Sequence, residues 1–481
     1  MPTTVIKNAD WVAAWDDGAK RHVYRRGIDV AFDGNAITFV GKDYGGKADR
    51  TIDGKDSFVL PGLIDVHSHP EHEPAYRGIR EEHGLPGMYM TGLFERAQAY
   101  SSSYAEAEAD AGAAAEFAYC ELLKCGVTSL VDISPNWDGW VDLMAKSGLR
   151  SFLAPGFASA RWKLENDHTL GYAWDEARGK AGFAAALKLI DGLAKHPSGR
   201  LSGVVSPSQI DTCTESLLRD AFAAARERKL PFTVHCAQAV NEVQEMIDRH
   251  GQTSIQWAHS LGLLAPGTIL GHALFIDTHS WIRWHTKRDL AILAESGTAI
   301  AHCPSPFVRY GHVLENLGDY LRAGVTVGIG TDVSPHNLVE EMRKAAVLGR
   351  VAARDIRAVS TSDVFHAATV GGATALMRDD LGRLAPGKKA DLVIVDLKHP
   401  HMMPARDPLR SFVYHAADRA VRDVFVDGRQ VVAAGKVLTM DQAAAAERLT
   451  QAQAHLMASV PGRDYLKRSA DQITPLSLPV A

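Results

Sequence analysis

A chain of 481 residues, 46% apolar and 23% charged, has the composition of a globular protein, not of a disordered or fibrous one. A net charge of -5 without a basic tract excludes the electrostatic footprint of a nucleic-acid binder, and no apolar run reaches the roughly 18 residues that span a bilayer. Met1-Pro2-Thr3-Thr4 lacks the layout of a signal peptide, and the five cysteines form no C-x-x-C pair, so the expected setting is reducing and cytoplasmic.

In chain order, residues 1–60 read as short strands with turns: 27–32 and 36–40 flank Asp33-Gly34-Asn35, a hairpin pattern. The same texture returns at 391–396 and 424–428. This predicts a small β-sandwich made from 1–60 and 381–440, followed by a helical tail over 441–481 with a closing helix at 441–457. Between them, at 61–380, eight apolar runs appear at 58–65, 127–133, 151–157, 201–205, 232–235, 268–275, 298–301 and 325–329. Helical stretches separate most of them, at 105–124, 182–194, 216–228, 240–250, 290–295 and 338–353. Continuous apolar strands alternating with helices mean a parallel sheet covered on both faces, and eight such units predict an α/β fold, a (β/α)8 barrel.

Functional groups of such a barrel sit where its strands end. Here strand 1 ends in Asp65-Val66-His67-Ser68-His69, strand 5 in His235, strand 6 in His272, strand 7 in His302 and strand 8 in Gly330-Thr331-Asp332. Side chains two apart on a strand point the same way, so His67 and His69 can grip one ion, with His235 and Asp332 closing the site. With 21 histidines, about one His-x-His pair arises by chance. His399-Pro400-His401 is such a decoy, because no further ligands are spaced behind it. The first pair differs in having histidine or aspartate at four later strand ends.

Pro61-Gly-Leu-Ile-Asp-Val-His-Ser-His69, Gly330-Thr-Asp332, Gly371-Gly-Ala-Thr-Ala-Leu376 and Gly382-Arg-Leu-Ala-Pro-Gly-Lys-Lys-Ala-Asp-Leu-Val393 resemble motifs of the amidohydrolase superfamily. The spacing looks like the branch of cytosine deaminase, S-adenosylhomocysteine deaminase and the triazine chlorohydrolases, over residues 55 to 430. The resemblance implies a barrel with a split sandwich, a small-molecule substrate and a homo-oligomer, dimer or tetramer. It assigns His67, His69, His235 and Asp332 to one divalent metal, with His272 contacting the water. Three imidazoles and a carboxylate suit Zn2+ best, with Fe2+, Co2+ and Mn2+ as alternatives. Strand 4, Leu201-Ser-Gly-Val-Val-Ser-Pro-Ser-Gln209, offers neither lysine nor glutamate to bridge a second ion. Zinc lowers the pKa of its water to about 7, Asp332 would accept the proton, and His272 would steady the oxyanion.

The chain departs from the family at three places. Where deaminases of this branch carry a proton-shuttling glutamate, Gln238 stands, which can hydrogen-bond a substrate but cannot ionise. Ser208 replaces a histidine, and Pro306-Phe307 replaces a Ser-Asn pair. The missing acid favours a urea, carbamate or amide as substrate, with an aminohydrolase or chlorohydrolase of a nitrogen heterocycle as the alternative and a non-catalytic metal-binding scaffold as the alternative of another class. His302, Trp281, Arg309 and His336 are further substrate-contact candidates. Trp284 and His285 belong with Trp281 as a candidate aromatic wall. Glu242 reads as a solvated helix carboxylate, Asp65 as structural, and His72, Glu81, Glu82 and His83 as a solvated loop.

Overall fold

The computed structural model describes residues 3–79, 93–100, 110–166, 168–315 and 317–480. Parallel strands β1 (Leu63–Ser68), β2 (Val127–Ser134), β3 (Arg150–Phe157) and β4 (Leu201–Gly203, resumed at Ser206–Pro207) form one sheet, in which β4 pairs with β3, β3 with β2 and β2 with β1. A second sheet joins β5 (Phe232–Cys236), β6 (Thr268–His272), β7 (Ala299–His302) and β8 (Thr326–Ile329) in that order. Parallel bridges link the two sheets at both margins. Val205 pairs with Phe232 and Gln209 with His235, while Ser68 pairs with Asp332. All residues of β1, β2, β5, β6 and β7 are buried, as continuous apolar runs covered on both faces require.

The apolar run at 58–65 is not one strand. Ser57–Pro61 pairs antiparallel with Leu392–Asp396 and parallel with Trp11–Asp16, whereas Leu63–Ser68 pairs with β2. The chain changes sheets at Gly62, whose amide donates to the Asp391 carbonyl at 2.9 Å. A Cβ there would lie 2.0 Å from Thr128 Oγ1, so only glycine fits the crossing. The seven-stranded sheet containing Ser57–Pro61 mixes strands from both ends of the chain. A four-stranded sheet, with Ile28–Asp33 paired to Ala36–Gly41 as expected, lies against it. Val12, Val30, Phe32, Val59, Ile394 and Phe425 pack between them.

The expected helices occur as Ala111–Lys124, Glu176–Leu193, Glu215–Arg228, Val240–His250, Asp289–Ser296 and Leu338–Ala353. Residues 105–109, expected to open the first, lie outside the described residues. The second starts earlier than its apolar pattern suggests because Asp175 caps it, accepting from the Arg178 amide. The closing helix runs farther, over Gln442–Arg463. A hairpin after β3, Ala160–Leu164 with Leu170–Trp174, was not expected. No described helix is long and apolar enough to cross a membrane.

Candidate metal centre and cavity

Five strand-end side chains converge. Among the described residues, the groups that could hold an ion are His67 with His69 and His235, and His67 with His272 and Asp332. His69 Nδ1 lies 2.8 Å from the Ile133 carbonyl and His235 Nδ1 lies 2.6 Å from that of Ser208. A carbonyl only accepts, so both Nδ1 atoms carry the proton and both Nε2 lone pairs are free. Those Nε2 atoms face each other at 3.2 Å, with Asp332 Oδ1 at 3.3 Å from His69 Nε2 and 3.7 Å from His67 Nε2. His272 Nε2 lies 3.5 Å from Asp332 Oδ2. His67 is fully buried, and among the described residues neither of its ring nitrogens has a hydrogen-bond partner. A buried, unpartnered imidazole is costly unless it binds something, and converging lone pairs beside a carboxylate fit a divalent zinc-like ion.

Burial, reinforced by the neighbouring histidines, holds His67, His69 and His272 well below the ordinary imidazole range, and burial brings His235 to about 4. The cluster is therefore neutral at pH 7, the state in which imidazole ligates. Two backbone features set the geometry. Gly271 leaves room for the His67 ring, since a Cβ there would lie 2.5 Å from His67 Cε1. Asp332 adopts φ 60°, a left-handed conformation unfavourable for a non-glycine residue. Its amide donates to the His67 carbonyl at 2.8 Å, and its own carbonyl accepts from the His69 amide at 3.2 Å. The conformation thus ties the strand-8 carboxylate to the strand-1 histidines. Asp65 is buried and accepts from the His67 and Thr331 amides at 3.1 and 3.2 Å, and from the Thr331 hydroxyl at 2.6 Å, as a structural carboxylate would.

The cluster opens on a cavity of about 790 Å³ that His69, His235, His272, Asp332, Gln238 and Gln209 help to line. Ser208, Pro306 and Phe307, three positions singled out above as departures from the expected family pattern, also line it. The Phe307 ring packs edge-on against His272 at 4.7 Å. Trp162, Tyr310, His312, Arg161 and Arg178 line it too, and sequence reasoning missed all five. The first sits on the unexpected hairpin, in which Trp162 and Leu164 on one strand, and Leu170, Tyr172 and Trp174 on the other, recur at every second residue. That alternation was the available signal.

Several other candidates sit elsewhere. Trp281 is 48% exposed and packs edge-on against the cavity's His312, ring centroids 4.9 Å apart. Its segment folds back on itself through the bond from the Trp284 amide to the Asp277 carbonyl at 3.0 Å. Trp284 and His285, like Trp281, are not among the described residues lining the cavity. Arg309 donates to the Ser334 carbonyl at 2.7 Å, and His336 is buried beside Glu121, 3.8 Å from its carboxylate. His302 is buried at the end of β7, and none of these three lines the cavity among the described residues. Two readings need correction. Glu242 is fully buried, not solvated, and accepts from the Ala237 and Gln238 amides, both at 2.8 Å. His72 lines the cavity, its Nδ1 2.9 Å from Glu71 Oε2. Glu81, Glu82 and His83 lie outside the described residues. His399 and His401 stack on each other, apart from both ion-binding groups.

The chain is 30% identical over 421 residues to a 5-methylthioadenosine/S-adenosylhomocysteine deaminase of Natronomonas pharaonis, covering 86% of this chain and 90% of that protein. It is 28% identical over 464 residues to a 5'-deoxyadenosine deaminase of Methanosarcina mazei, covering 96% and 100%. In fold it is similar to the zinc complex of atrazine chlorohydrolase TrzN from Arthrobacter aurescens TC1, with TM-score 0.80, 23% identity, and 94% and 100% of the two chains covered. An adenosine deaminase from Xanthomonas campestris with bound zinc gives TM-score 0.78 at 23% identity, over 95% and 98%. Residues 58–431 match the Amidohydrolase family, and the chain belongs to that family.

Proposed function

We propose that this protein is a zinc-dependent hydrolase that cleaves a non-peptide C–N bond of urea, carbamate or amide type in a small molecule. The observation that carries this reading is the chemistry beside His235. Among the described cavity residues the carboxylates are Asp332 and Glu73, and the position next to the metal cluster holds the Gln238 carboxamide. Displacing ammonia from a ring requires a proton on a ring nitrogen, which a carboxamide cannot give. An exocyclic leaving nitrogen can instead take its proton from Asp332.

When bound, zinc supplies Lewis acidity and lowers the pKa of water into the neutral range. His67, His69, His235 and Asp332 would hold it. Asp332 accepts a proton at one carboxylate oxygen and passes it to the departing nitrogen. His272, neutral and 3.5 Å from that carboxylate, hydrogen-bonds the oxygen on which charge develops. Gln238 orients the substrate. The architecture behind this reading is a (β/α)8 barrel over 61–380, its two parallel sheets taken as one ring. The sandwich is then built from 1–60 and 381–440, and the tail spans 441–481. The free, buried cysteines support a reducing, cytoplasmic setting.

The names of the relatives above favour a second reading, an aminohydrolase of an adenosine-like heterocycle. Mass-spectrometric product profiling of the zinc-loaded protein decides between them, with Asp332→Ala as control. Scission of exocyclic C–N bonds in ureas, carbamates or anilides is the expected result. Ammonia or chloride released from a ring, with the ureas left intact, would overturn it.

A further inference from the structure

We propose that Gln209 and Gln238 act together as the reader of the substrate's amide edge, an N–H beside a C=O. This rests on the functional reading above and adds the group that selects for it. The two side chains line the same cavity and flank His235, and Gln238 Nε2 donates to Gln209 Oε1. Each carboxamide carries a donor end and an acceptor end. Once they pair, Gln238 Oε1 remains as an acceptor and Gln209 Nε2 as a donor. Exchanging oxygen and nitrogen on both side chains reverses the roles but again leaves one acceptor end and one donor end outside the pair.

The backbone beneath the pair is fixed on both sides. Gln209 forms a parallel bridge with His235, and the Ile210 amide donates to the His235 carbonyl at 3.0 Å. Gln238 leaves the end of β5 in a turn held by Glu242. One oxygen of that buried carboxylate takes the Gln238 amide at 2.8 Å, and the other takes the Ala237 amide at 2.8 Å and the Ser254 hydroxyl at 2.6 Å. The helix Val240–His250 has no side-chain cap from Ala239, so Glu242 serves the loop in that place. A donor and an acceptor held this firmly discriminate by leaving one of them unpaired when a ligand lacks the match. Primary amides, terminal ureas and lactams present the required edge, and esters and fully N-alkylated amides do not.

The test is calorimetric binding of oxindole, a lactam, and of N-methyloxindole, which lacks the donor, to the zinc-loaded enzyme. Wild type should prefer oxindole by about tenfold or more. Gln209→Leu and Gln238→Leu should each cut that preference below about threefold while keeping zinc and the wild-type circular dichroism. Gln209→Glu serves if Gln209→Leu does not fold. It keeps the acceptor for Gln238 and loses the free donor, so oxindole affinity should fall. A wild type that binds both lactams alike, or neither, overturns the proposal, as does an undiminished preference in folded variants. Binding reads the pair without turnover. Failure to cleave ureas beside an intact lactam preference would therefore sink the hydrolase reading alone.

Discussion

His69 and His235 bring their Nε2 atoms to 3.2 Å of each other, each ring turned by a bond from Nδ1 to a main-chain carbonyl, of Ile133 and Ser208 respectively. Main-chain acceptors cannot rotate away, so the tautomer and ring plane are set before any ion arrives. Either ring alone leaves too few ligands. His69→Ala and His235→Ala should therefore bring zinc, measured by elemental mass spectrometry, from about one to below roughly 0.1 per chain, and kcat/KM down by about 10³ or more. Full zinc occupancy in either variant would refute the ligand assignment.

Gln238 stands where the resemblance to the deaminases leads one to expect a glutamate, so placing the acid there should move the chemistry. Gln238→Glu should raise ammonia release from adenosine by at least about tenfold, since a placed general acid contributes roughly 10²–10⁴. Urea turnover should fall in the same variant. Equal deamination by wild type and variant would mean another group already supplies the proton.

The metal cluster was readable because strand ends and two-residue alternation fix where side chains go, whatever the loops do. Those rules put His67, His69, His235, His272 and Asp332 at strand ends that the structure brings together, although nothing in the local pattern foretold the left-handed backbone at Asp332. Loop residues obey tertiary contacts instead. Arg309 turns to the Ser334 carbonyl and His336 to Glu121, and neither partner is near in sequence. Glu242 misled for a different reason. A glutamate in the first helical turn is ordinarily solvated, but here the preceding loop has bare amides and no other cap, so the side chain folds back under it. Gly62 concealed the strand break because it carries no side chain to interrupt the apolar run.

The hairpin Ala160–Leu164 with Leu170–Trp174 puts Trp162 on the cavity wall, and one carboxylate oxygen anchors it. Asp211 Oδ2 accepts from Trp162 Nε1 and from the Tyr172 hydroxyl, both at 2.8 Å. Asp211→Ala removes this shared acceptor while leaving the metal ligands in place. The expected result is a KM about tenfold higher with kcat changed less than about threefold, the pattern of lost positioning. A fall in kcat at unchanged KM would count against this role for the hairpin.

Asp289 predicts how stability responds to pH. It is buried, accepts from the Asp277 amide, Gln256 Nε2 and Thr253 Oγ1 at 2.8, 2.8 and 3.0 Å, and is pushed up to about 6, chiefly by burial and then by the charge of Asp277. The folded protein therefore holds this proton more tightly than the unfolded chain, whose aspartates titrate near 3.8. The contribution is complete below pH 3.8 and is lost as pH rises through about 6. A shift of this size is worth about 3 kcal/mol at most. In Asp289→Asn the site cannot titrate. Denaturant titrations of both proteins from pH 7 to pH 4 should show wild type gaining about 2 to 3 kcal/mol relative to the variant as the pH falls. Parallel stability curves would mean that Asp289 stays ionised in the fold, with its three donors outweighing burial.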